Sequence, residues 1–277
     1  MAQGHVEHRG IRLWYDVLGP SDGAAVMLVM GVGASSLWWP RELTSALVSA
    51  GFRVVLFDNR DIGLSTHVDY ERAPYGLSDM ALDTTQLMDA LGIASAHLVG
   101  MSLGGMIAQL IALEAPERVL SLALISSTPG PDERLSPPTA AFLELVSRPP
   151  DLSLSALEQQ LAFCRAFVGP RFPFDEPFYR SLIAADIARG TNLNSSQGRV
   201  PMSAGSRLDS LPRIAAPTLV VHGGQDPLFP PEHAQALARG IGSAQLVSWE
   251  GVGHELPPPL VPELTRLLVQ HLVRASD

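Results

Sequence analysis

The sequence predicts an α/β fold, a mainly parallel sheet covered by helices on both faces and carrying a helical cap insertion. Three observations predict it. Continuous apolar runs of strand length alternate with segments of helical period along most of the 277 residues. One such run passes into a helical segment through Val99-Gly100-Met101-Ser102-Leu103-Gly104-Gly105, a glycine-bracketed serine. Residues 129–206 then interrupt the rhythm: they hold ten of the 23 prolines and six of the nine phenylalanines, with no clear buried strand. Because the alternation resumes at Pro217, these residues are expected to lie over the sheet as a lid, leaving 1–128 and 207–277 as the core.

The elements follow in order. Val6-Glu7-His8 and residues 11–17 flank Arg9-Gly10, an opening antiparallel hairpin with its turn at the glycine. Residues 25–30 form an uninterrupted apolar run, the pattern of a strand buried on both faces, and 37–50 has helical spacing. A third strand is predicted at 54–57, a helix at 77–91, a strand at 96–99 and a helix at 106–113. Further strands are expected at 120–125, 217–221 and 245–249. Leu260, Leu264, Leu267 and Leu268 give the closing helix one apolar face.

Composition narrows the function. An apolar content of 46% fills a substantial core, and the net charge is −9, with all 19 strongly basic residues arginine and none lysine. There is no basic run, so a nucleic-acid surface has nothing to rest on. No stretch nears bilayer-spanning length and no signal-like N-terminal pattern is present, which predicts a cytoplasmic protein with no membrane partner. The single cysteine, Cys164, excludes an internal disulfide and reads as a packed apolar residue. The oligomeric state is left open.

The chemistry begins at Ser102. A serine hydroxyl is a weak nucleophile and needs a base to take its proton, and the sharp strand-to-helix turn of a nucleophile elbow would aim it out of the sheet. On such a sheet the triad runs serine, acid, histidine along the chain. Of the late histidines, His233 and His271 belong to helical stretches, whereas His254 stands in a glycine-rich loop after the last strand. Asp226, in the turn after the 217–221 strand, is the expected carboxylate, with Asp132 as its competitor. The backbone N–H groups of Val32 and Leu103 are the expected oxyanion donors, one after an early strand and one after the nucleophile. Asp58-Asn59-Arg60-Asp61 lacks a histidine at ligand spacing and reads as structural, Arg60 pairing with a nearby carboxylate. His222 reads as packed. No cofactor or metal is expected; the expected partner is a small-molecule ester.

With these residues in place the chain resembles the α/β-hydrolase-fold serine hydrolases over nearly its whole length. Residues 58–65 resemble the family's D-x-R-G-x-G-x-S loop, 217–227 its acid strand, and Gly251-Val252-Gly253-His254 its histidine loop. The wording at 60–66, Pro74-Tyr75-Gly76 and the Gly-His-Glu-Leu-Pro ending are similar to the aclacinomycin methylesterase-like carboxylesterases, which cleave carboxylic esters, in the namesake case on a bulky polyketide. Two positions depart from the pattern: Met30 stands where many relatives have histidine, and Asp61 where many have glycine. The resemblance implies a carboxylesterase; a lactonase, a perhydrolase, a C–C bond hydrolase or a small-molecule sensor would use the same fold. The phenylalanines at 142, 163, 167, 172, 174 and 178, with arginines scattered singly among them, predict an uncharged, largely apolar guest.

Overall fold

The computed structural model describes residues 2–149, 151 and 153–276. Its frame is an eight-stranded sheet: β1 (Ala2–His8), β2 (Ile11–Leu18), β3 (Ala25–Val29), β4 (Arg53–Phe57), β5 (Ala96–Met101), β6 (Val119–Ile125), β7 (Thr218–Gly223) and β8 (Ala244–Trp249). The spatial order is β1-β2-β4-β3-β5-β6-β7-β8. The β1–β2 and β2–β4 pairs are antiparallel and the remainder parallel.

The apolar runs are continuous because both faces of the sheet are covered. Along β3, Val26 and Leu28 enter one core cluster while Met27 and Val29 enter the other. The first cluster packs against α1 (Arg41–Ser49) and α9 (Val261–Arg274), through Leu43, Leu47, Leu264, Leu268 and Leu272. On the opposite face lie α2 (Leu77–Ala90), α3 (Leu103–Glu114) and α8 (Pro231–Gly240), which bury Met80, Leu87, Met106, Ile107 and Leu237. Burying one such side chain is worth about 1.5–3 kcal/mol.

One expected element differs. The helical spacing of 37–50 resolves into a short 3-10 turn at Ser36–Trp38 and then α1, with Pro40 between them in an extended conformation (φ −58°, ψ 133°). Proline cannot donate to a preceding turn and is tolerated only at a helix start, so the helix begins after it.

Between β6 and β7 the described residues contain helices and no strand: α4 (Ala140–Ser147), α5 (Ala156–Phe167), α6 (Glu176–Arg189) and α7 (Arg199–Ser203). The chain runs from β3 outward to β4, then crosses back to β5 on the other side of β3. The carboxyl ends of β3 and β5 therefore flank a topological switch point, where open α/β sheets form their ligand crevice.

Candidate active site

Ser102 stands at this switch point, between the end of β5 and the first residue of α3. Its backbone holds φ 52° and ψ −116°, a conformation few non-glycine residues adopt. Neighbouring glycines permit it: a Cβ on Gly100 would collide with the Gly104 carbonyl, and one on Gly104 with the carbonyl oxygen of Val29. The turn is closed by the Ser102 N–H donating to the Ile125 carbonyl at 2.8 Å, while the Ser102 carbonyl accepts the Ser127 hydroxyl at 2.8 Å.

His254 lies in the loop after β8 and Asp226 in the turn after β7. The His254 Nδ1–Asp226 Oδ2 separation is 2.6 Å, and the carboxylate oxygens are wholly shielded from solvent. The other oxygen, Oδ1, accepts the backbone N–H groups of Leu228 and Phe229 at 2.9 and 2.8 Å. Burial pushes the Asp226 carboxyl up, but the charge and hydrogen bond of His254 more than offset it and hold it below the usual carboxylate range. Because Asp226 is ionised it accepts the Nδ1 proton, which leaves Nε2 as the lone-pair nitrogen of the neutral ring. Among the described residues the ring's only hydrogen bond is the one to Asp226, and none joins it to the Ser102 hydroxyl.

The competing acid is occupied elsewhere. Asp132 takes two bonds from the Arg134 guanidinium and one from the Ser206 hydroxyl. His222, behind the acid turn, is buried and donates through Nε2 to the Phe229 carbonyl at 2.8 Å. Burial also pushes the Cys164 thiol up to about 12, leaving it a packed side chain.

Two backbone stretches border Ser102. Leu103 opens α3, so its N–H has no intrahelical acceptor. The turn after β3 approaches from the other side: a Cβ on Gly31 would stand 3.1 Å from the Ser102 Cβ. Val32 follows, its side chain turned outward. Met30 is buried, and its carbonyl accepts the Asn59 side-chain amide at 3.0 Å, so a side chain of the loop after β4 ties this turn down.

That loop contains residues whose roles the sequence did not reveal. Asp58 is buried and binds the Ser36 N–H at 2.8 Å, the Leu64 N–H at 2.9 Å and the Arg189 guanidinium at 2.6 Å. Arg60 forms a two-pronged pair with Asp83 at 2.5 and 2.6 Å, as its structural reading expected. Asp61 takes φ 70°, which accounts for glycine being the common residue here in the resembling family. Its carboxylate accepts five bonds: from the Val68 N–H, the Tyr75 hydroxyl, the Asn192 amide, the Ser195 hydroxyl and the Ser196 N–H. Burial and this carboxylate push the Tyr75 phenol far up. These partners lie up to 135 residues away. No local motif announces them.

Residues 129–206 meet the histidine loop. Phe167 packs its ring 5.2 Å from that of His254, and its carbonyl accepts the His254 backbone N–H at 2.7 Å. Phe142 and Phe163 extend this aromatic row from Phe167, and Phe229 meets the imidazole edge-on from the acid turn. Six of the segment's seven arginines, Arg134, Arg148, Arg165, Arg180, Arg189 and Arg199, each pair with a carboxylate, while the Arg171 guanidinium lies over the Phe172 ring.

No helix among the described residues is long and apolar enough to cross a membrane. A family model described as the alpha/beta hydrolase fold matches residues 24–257. Rhodomycin D methylesterase DnrP of Streptomyces peucetius is 31% identical, with 96% of each chain covered. A putative carbamate hydrolase, RutD of Variovorax paradoxus, is 32% identical over 95% of this chain and 97% of its own. Among solved structures, the meta-cleavage product hydrolase of Pseudomonas fluorescens IP01 is similar at a TM-score of 0.80 and 22% identity, covering 99% of this chain and 98% of its own.

Proposed function

The chain belongs to the alpha/beta hydrolase family and is an enzyme of the esterase type, and we propose that it cleaves small to medium, uncharged, largely apolar carboxylic esters through an acyl-enzyme on Ser102. His254 Nε2 takes the Ser102 proton as Oγ attacks the ester carbonyl, and Asp226 holds the imidazole by its Nδ1–H and stabilises the imidazolium. The oxyanion rests on the Val32 and Leu103 N–H groups. His254 then protonates the leaving alcohol, and a water, deprotonated by the same imidazole, releases the acid and restores Ser102. Residues 129–206 act as a cap that supplies the apolar walls.

The observation that supports this reading best is the 2.6 Å His254–Asp226 pair, in a chain whose Ser102 is held at a strained turn of the switch point. The aromatic row beside His254 and the pairing of six of the segment's seven arginines favour an uncharged substrate over a phosphate or a polyanion. The test is turnover of short p-nitrophenyl esters by wild type and Ser102→Ala. A loss of about 10³-fold or more is expected, and full activity in the variant would falsify the assignment. Lactones, peracid formation and activated C–C bonds belong in the same substrate panel, since a lactone or C–C substrate ranking far above every ester would displace the ester reading.

A further inference from the structure

Gln197 is fully buried, although it belongs to the returning limb of the 129–206 segment. Its amide spans two loops at the carboxyl edge of the sheet. Oε1 accepts the Gly33 N–H at 2.9 Å, and Nε2 donates to the Arg60 carbonyl at 2.6 Å. One partner can only donate and the other only accept, so the amide has a single satisfied orientation. A buried amide with both ends engaged is costly to replace and holds its partners rigidly.

Gly33 directly follows Val32. With Gly31 against Ser102 on one side and the Gly33 N–H gripped on the other, the Val32 turn is pinned at both ends. The same stretch is held further along, where Asp186 of α6 accepts the Ser35 hydroxyl at 2.6 Å and the Trp38 indole N–H at 2.9 Å. The turn after β3 thus receives several of its hydrogen bonds from the segment between β6 and β7.

We propose that Gln197 is a positioning residue for the reaction: by fixing the Gly33 N–H it seats the Val32 turn against Ser102, so that the oxyanion hole is complete only while the returning limb is docked. This rests on the reading of Ser102 and Val32 given above. A donor displaced by about 1 Å is expected to cost on the order of 10²-fold in rate, and loss of one donor about 10²–10³-fold. Loss of the anchor alone should fall below that, because the turn keeps its other ties.

Gln197→Met keeps the volume and removes both bonds; Gln197→Glu keeps the acceptor and, when protonated, the donor as well. On p-nitrophenyl butyrate, Gln197→Met is expected to lower kcat about 10- to 100-fold with KM changed less than about twofold. It should weaken a trifluoromethyl ketone inhibitor by the same factor as kcat/KM and leave the matching methyl ketone unaffected. The activity ratio of Gln197→Glu to wild type should rise as pH falls, since the neutral carboxyl restores both bonds. An unchanged kcat, or a raised KM at full kcat, overturns the proposal. Should Gln197→Met fail to fold, a flat ratio for Gln197→Glu overturns it instead. Ser102→Ala, assayed in parallel, separates the two readings: if it stays active the site assignment fails, and if it is dead while Gln197→Met is fully active only the positioning role fails.

Discussion

At the scale of single residues, Glu255 shows what the site's burial does to its neighbours. It follows His254 in the chain, is buried, and accepts the Gly169 N–H at 3.1 Å. Burial raises its carboxyl from 4.5 to about 7, against the pull of the Gly169 and Gly253 N–H groups and of His254. A raised carboxyl favours the fold while protonated, so its contribution is full below pH 4.5 and is lost as pH rises through about 7. Glu255→Gln has no charge to bury. Its melting temperature relative to wild type should therefore climb between pH 4.5 and pH 7 and level off above, and a difference independent of pH would refute this account. Ser102, Asp226 and His254 stand out in the sequence because each sits in a short loop whose glycines and neighbouring strand announce it, and of the three the structure joins His254 to Asp226 by a hydrogen bond. Gln197 was not: its amide acts on a residue 164 positions away, and a lone glutamine in a polar stretch carries no local signal.

The elements were legible for a related reason. A strand buried on both faces must be apolar throughout, so β3, β4, β5, β6 and β7 stand out as runs. The boundary near Pro40 was missed because helical spacing continues across a residue that cannot extend a helix. Asp61 acts at this scale, since one carboxylate fastens the loop after β4 to residues 192–196. Asp61→Gly relieves a left-handed φ of 70°, worth about 1 kcal/mol, but leaves the buried Tyr75 hydroxyl without an acceptor at about 1–3 kcal/mol and four part-buried donors at less each. The second effect is larger. We expect a net loss of about 2–4 kcal/mol in chemical denaturation, with proteolysis beginning inside residues 129–206; a stabilised variant would mean that these bonds contribute little.

For the whole molecule, the sheet and the helices on its two faces form the frame that residues 129–206 meet at the histidine loop, where the aromatic row Phe142, Phe163 and Phe167 ends against the His254 ring. An acyl chain lying along that row should gain from each methylene it buries. Across p-nitrophenyl acetate, butyrate and hexanoate, kcat/KM is expected to rise by up to about fourfold per added methylene, the equivalent of about 0.8 kcal/mol. A flat series would place the acyl group away from the aromatic row. The sequence supplied the six phenylalanines of residues 129–206 but not which of them meets the imidazole, because that depends on how α5 lands on the histidine loop. The carbonyl of Phe167 decides it by accepting the His254 N–H.

The polar ties of residues 129–206 to the sheet's edge are unevenly distributed. They gather at Ser136 and Thr139 beside the acid turn, at Phe167 and Gly169 on the histidine loop and at Asp186, Arg189, Asn192 and Gln197 on the loops after β3 and β4. By contrast, α4 and the middle of α5 turn Leu143, Val146 and Phe163 toward solvent. The outer turns of α4 and α5 are therefore expected to exchange their amide hydrogens sooner than the limb held by Asp186, Asn192 and Gln197, and equal exchange rates on the two sides would refute it.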